Sequence, residues 1–167
     1  MRKDHVDRVL AQWKRELPTL DRSPMGVLGR ISRMSAIADR EFDAVFARHG
    51  LNGGEFDVLA ALRRTGPPFR LTPTELSRAL MVSSGGMTKR LKRLEAGGLI
   101  HRTPSREDGR SSDVALTAKG RRVVEEAVAA HVRNESRMLE GLDAADRATL
   151  AKLLRKLLLR FEEEEER

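Results

Sequence analysis

The sequence predicts a mainly α-helical fold with one small β-hairpin, and three observations carry that expectation. Apolar residues recur at helical spacing through most of the chain. Between Leu71 and Leu116 a capped helix, a tight turn, a second helix with a basic face and two short strands follow one another closely. Positive charge gathers in that stretch: from Arg78 to Arg110 there are eight Lys/Arg against three acids, in a chain of net charge +7. This order of elements is a winged helix-turn-helix. A chain built this way can insert one helix in a DNA major groove and lay a basic ribbon beside it.

Taken in order, Val6, Val9, Leu10, Trp13 and Leu17 place one apolar face on a first helix, which Pro18 ends. A second helix spans roughly Met25 to Arg48. Leu28, Ile31, Met34, Ile37, Ala38, Phe42, Val45 and Phe46 are expected on its buried side, and His49-Gly50 closes it. Asn52 followed by Glu55 is a capping box for a third helix with Phe56, Leu59 and Leu62 in the core. Thr65-Gly66-Pro67-Pro68 stops it. Thr72-Pro73-Thr74-Glu75 starts a fourth helix, and Leu76 and Leu80 pack inward.

Ser83-Ser84-Gly85-Gly86 reads as a short turn, after which a fifth helix runs to about Ala96 and ends at Gly97-Gly98. Residues 99–103 and 114–116 read as antiparallel strands around a polar tip from Pro104 to Ser112. Thr117 caps a long helix, and Asp143 caps the last one. Leu150, Leu153, Leu154, Leu157, Leu158 and Phe161 form a stripe on that last helix too long for one small domain to cover.

The 167 residues fit a single domain. Within it, 1–50 and 117–167 are expected to form a helical dimerisation region and 51–116 the DNA-binding region. No apolar run approaches the ~20 residues that span a bilayer. The amino end lacks the apolar core of a signal peptide, so a cytoplasmic location and no membrane partner are expected. The chain has no cysteine, which excludes disulfides, thiolate metal sites and thiol switches. His5, His49, His101 and His131 are scattered, without metal spacing. No nucleophile has a local base, so neither an enzyme nor a cofactor is expected.

The chemistry concentrates on the fifth helix. Ser83 and Ser84 sit where free backbone N–H groups and hydroxyls suit a phosphate oxygen. Thr88, Lys89, Lys92 and Arg93 offer contacts to bases and backbone, while Met87, Leu91 and Leu94 hold the opposite face on the core. Arg106 and Arg110, beside Asp108, would let the hairpin reach the adjacent groove. A merely solvated basic face is the alternative, and the capped helix before it and the hairpin after it weigh against that.

The runs SSGGMTKRLKRLEAGGLIHR and EDGRSSDVALTAKG resemble the MarR family of winged-helix regulators, and the resemblance covers nearly the whole chain. It implies a homodimer that binds a pseudo-palindromic operator in double-stranded DNA and usually represses transcription. The chain departs from the family's wing pattern in having Gly109 before Arg110, where two adjacent arginines are common. The added first helix with Trp13 resembles the urate-responsive branch. There, a Trp from that helix, an Asp and an Arg two turns apart, and an Arg of the recognition helix surround the anionic purine. The residues at those places here are Trp13, Asp57, Arg64 and Arg90. The implied effector is a small anionic aromatic such as urate or a related purine. A flat anion calls for such a set: a guanidinium fork, an acceptor for ring N–H and an aromatic wall. A phenolic or aryl carboxylate effector is one alternative, and an effector-independent architectural DNA-binding protein is the other.

Overall fold

The computed structural model describes residues 2–104 and 112–165. Two helices open the chain, α1 (His5–Glu16) and α2 (Ser23–Ala47). There follow α3 (Gly53–Arg64), β1 (Arg70–Leu71), α4 (Pro73–Ala79), α5 (Ser84–Ala96), β2 (Ile100–Pro104) and β3 (Ser112–Leu116). The chain closes with α6 (Ala118–Met138) and α7 (Ala144–Glu165).

Local chemistry sets most of these boundaries. Asp4, Asn52 and Thr72 each close a reciprocal capping box, with Asp7, Glu55 and Glu75 respectively. Thr117 accepts from the Gly120 amide at the start of α6, and Asp143 accepts from the Asp146 amide at the start of α7. Gly98 ends α5 at φ +67°, a left-handed position that glycine occupies without steric cost.

The core lies around α3. Val58, Leu59 and Leu62 are fully enclosed, together with Leu76 of α4, Val114 of β3 and Val124 of α6. Met87, Leu91 and Leu94 fasten α5 to that core, each 1% exposed. Burial of this kind contributes roughly 1.5–3 kcal/mol per side chain, so α5 is seated as a rigid body.

The sheet contains the expected hairpin, β2 with β3, and adds β1 to it. It has three strands in the order β1-β3-β2, all antiparallel, with Ile100 opposite Leu116 and Arg70 opposite Ala115. Ser83-Ser84-Gly85-Gly86 is not a turn. Ser83 is the cap, and Ser84, Gly85 and Gly86 form the first turn of α5. The turn itself is Leu80 to Val82. The hairpin tip, with Arg106 and Arg110, lies outside the described residues.

The amino-terminal half of α2 differs from expectation. Leu28, Ile31 and Met34 are 62%, 37% and 42% exposed, and only Val45 and Phe46 are buried. Along α7, Leu150, Leu153, Leu157, Leu158 and Phe161 are all exposed as well. Two open apolar clefts result. One, of about 600 Å³, is lined by Ile31, Met34, Ala38, Leu150 and Leu154, and the other, of about 750 Å³, by Val6, Leu10, Met25 and Leu28. Exposed apolar surface on this scale marks an interaction face.

Candidate nucleic-acid interface and effector site

The first turn of α5 is built to approach a polyanion. The Gly86 amide donates to the Ser83 hydroxyl at 3.3 Å, and the Thr88 hydroxyl donates to the Ser84 carbonyl at 2.9 Å. Both hydroxyls keep acceptor capacity, and the remaining first-turn amides face out of the helix end. A Cβ built on Gly85 would meet nothing within 4 Å. Its surface is therefore open to an approaching phosphate. Replacing Gly85 with alanine is expected to leave the fold intact or raise its stability by about 0.4–1 kcal/mol. The same change holds DNA away from the helix end. Thermal unfolding and DNA affinity measured side by side should move in opposite directions.

Lys89 and Lys92 are exposed and make no ion pair among the described residues. Arg93 is engaged differently. Its Nε lies 2.7 Å from a carboxylate oxygen of Glu55, whose side chain is 5% exposed, while the Arg93 side chain is 63% exposed. The other Glu55 oxygen accepts from the Asn52 amide at 3.0 Å. One buried carboxylate thus caps α3 and clamps α5 against it. Such a group needs both partners, because an unpaired buried charge is strongly unfavourable. At the far end of α5 the Lys119 ammonium donates to the Gly97 carbonyl at 2.8 Å, and the Thr117 hydroxyl donates to the Gly98 carbonyl at 2.8 Å. The helix is held at both ends.

Arg90 leaves α5 in another direction. It lies on the start of α3, where its Nη1 donates to the Gly54 carbonyl at 3.4 Å. A Cβ on Gly54 would come within 2.6 Å of the Arg90 guanidinium carbon, so glycine there makes the seat. Asp57 stands on the same helix. Burial pushes its carboxyl above the usual range, while the charges of Arg90, Arg64 and His131 pull it back.

Asp57, Arg64 and Arg90 therefore share one electrostatic neighbourhood. His131 of α6 belongs to it too, which the spacing of histidines gave no reason to expect. Its ring lies 4.5 Å from Phe42, 5.2 Å from Phe46 and 5.4 Å from Phe56, centroid to centroid. Its Nδ1 is buried without a hydrogen-bond partner, and its Nε2 lies 3.2 Å from Glu135. Trp13 is 39% exposed on α1, which packs on α2. No hydrogen bond or ring contact among the described residues joins it to the Asp57 group. Neither apolar cleft is lined by Asp57, Arg64 or Arg90.

The geometry offers a cationic helix on a rigid seat with a small sheet beside it, equipment for gripping a polyanion rather than for turnover. This places the molecule in the winged-helix class of DNA-binding regulators. Comparison with known proteins agrees. A MarR family model matches residues 49–111. The PecS transcriptional regulator of Dickeya dadantii is 39% identical over 149 residues, covering 89% of this chain and 90% of PecS. The chain belongs to the MarR family of transcriptional regulators. Among solved structures, a cysteine-to-serine variant of the MarR protein of Escherichia coli complexed with operator DNA superposes with a TM-score of 0.69. It is 28% identical and covers 87% of this chain and 97% of that one. BpsR of Bordetella bronchiseptica, whose DNA binding is regulated by 6-hydroxynicotinic acid, matches with a TM-score of 0.61 at 26% identity, over 77% and 98% of the two chains.

Proposed function

We propose that the protein is a dimeric, effector-released repressor of a pseudo-palindromic operator. A small anionic aromatic, urate or a related purine, would bind between the dimerisation helices and α5. The observation that carries the effector reading is Arg90, a residue of the recognition helix seated on the start of α3, whose charge acts on Asp57 together with that of Arg64. An anion held by Arg64 and Arg90 pulls directly on the element that enters the groove. Likeness to BpsR, whose DNA binding is regulated by 6-hydroxynicotinic acid, supports a small anionic aromatic as the class of effector.

Dimerisation supplies what one protomer lacks. The exposed apolar faces of α2 and α7 would pack on a twofold mate, and residues 1–50 and 117–167 would form that interface. Two copies of α5 set one turn of DNA apart, about 34 Å, then read the two half-sites. Ser83, Ser84, Thr88, Lys89 and Lys92 would contact DNA. Arg93 would use the part of its guanidinium left free by Glu55, and Arg106 and Arg110 of the wing would add their charge. Trp13 would complete the effector site as an aromatic wall.

Release works by population shift. An effector that prefers a dimer with mis-set α5 helices by about 1–3 kcal/mol weakens operator binding about 5–150-fold. The test is an operator-shift titration with urate, xanthine and salicylate, on a duplex selected from a random library with the wild-type protein. Urate is expected to release the wild type. Arg64→Ala, Trp13→Phe and Gly54→Ala, which displaces the Arg90 guanidinium, should bind DNA while losing at least tenfold in urate response. Equal release of all four proteins would sink the effector site and leave the DNA-binding reading standing. Release by salicylate alone would move the effector to the aryl carboxylates.

A further inference from the structure

Among the described residues, every large apolar side chain left exposed lies on α1, α2, α6 or α7, or in the turn joining the first two, with one exception. That exception is Met81, 91% exposed and two residues ahead of the Ser83 cap of α5. The proposed face between two copies of the chain would cover those of α2 and α7, and the proposed effector site would take Trp13. Met81 lies between α4 and α5, inside the DNA-binding region.

Its backbone is also unusual. Met81 has φ +50°, in the left-handed region that side chains larger than glycine rarely enter. The turn around it is pinned, with Met81 N donating to Arg78 O at 3.3 Å, Val82 N to Ser77 O at 3.0 Å and Leu80 N to Leu76 O at 3.0 Å. A flexible apolar side chain is therefore held out in water on a strained backbone, beside the helix end that faces DNA. Strain of this sort persists where the surrounding structure over-determines it, as these hydrogen bonds do, and it clusters at functional sites.

The major-groove edge of a base pair offers one apolar group, the C5-methyl of thymine. Methionine is unbranched and polarisable and adapts to such a partner. We propose that Met81 is a specificity-determining contact whose thioether packs on a thymine methyl at the edge of the half-site read by α5. The proposal rests on the reading that α5 enters the groove.

The test uses the wild-type chain and the duplex it selects from a random library. Each thymine is replaced in turn by deoxyuridine, which removes the methyl and leaves the hydrogen-bonding edge unchanged. One thymine per half-site is expected to weaken wild-type binding about three- to fivefold when demethylated, the loss of about one buried methyl. Met81→Ala should bind the parent duplex about five- to tenfold more weakly and be indifferent to that same replacement. Thermal unfolding of Met81→Ala and Met81→Gly confirms that both variants remain folded. Parent binding by Met81→Ala equal to wild type, or equal sensitivity of both proteins to every demethylation, overturns the proposal. Lys89→Ala separates the two levels. If it weakens binding while Met81→Ala does not, only the Met81 contact falls. If neither weakens binding, the placement of α5 in the groove falls with it.

Discussion

Gly120→Ala is expected to be strongly destabilising although it adds only one methyl group. Gly120 is buried in the first turn of α6, and a Cβ there would overlap the carbonyl oxygen of Leu99. That oxygen is backbone and is already in use, accepting from the Thr117 amide at 3.1 Å and the Thr117 hydroxyl at 3.2 Å. It cannot rotate away as a side chain would. Relief requires α6 to move off the segment joining α5 to β2, which breaks the Thr117 contacts and opens the core around Val124. A cost of about 3–5 kcal/mol follows, a large fraction of a small domain's stability. Thermal and denaturant unfolding of the variant beside wild type measures it. A midpoint within a few degrees of wild type would show that the close approach of α6 to Leu99 is dispensable.

The second large effect is electrostatic. Lys89→Ala combined with Lys92→Ala removes two exposed charges from each copy of α5 without touching the buried face of Met87, Leu91 and Leu94. Four charges are lost per dimer. If each neutralises one phosphate, the slope of log affinity against log salt shrinks by about 3–4 units, at about 0.9 per phosphate. Affinity for selected and scrambled duplexes should fall together, because phosphate contacts carry no sequence information. An unchanged slope would mean that these lysines face solvent rather than DNA.

Much of this architecture was legible in the residues because it is local. Capping boxes at Asn52-Glu55 and Thr72-Glu75, the Thr117 cap and the Gly97-Gly98 stop are short-range hydrogen-bond chemistry, and the structure places each where the spacing puts it. The features that escaped depend on distant partners. Strand β1 is two residues long, too short for any periodicity, and exists because β3 runs beside it. Gly85 and Gly86 read as a turn by composition, yet the Ser83 cap and the packing of Met87 draw both into α5.

The site divides the same way. The basic face of α5 follows from helical spacing alone. The clamp between Arg93 and Glu55 joins residues 38 positions apart, and neither end signals the other. His131 likewise reaches Asp57 only through the packing of α6 on α2 and α3. Leu28, Ile31 and Met34 carry the pattern of a buried face because periodicity reports apolar character, not which chain covers it.

Helix α6 has 21 residues, and its two ends are tied to different parts of the molecule. At one end Thr117 and Lys119 grip the tail of α5, and at the other Arg137 pairs with Glu41 of α2. A continuous rod of that size is about 30 Å long, so a tilt of about 5° at its α2 end swings the opposite end by nearly 3 Å, about half of one helical pitch. Pivoting as one body, such a rod would carry an adjustment among the terminal helices to the tail of α5 in the manner of a lever arm.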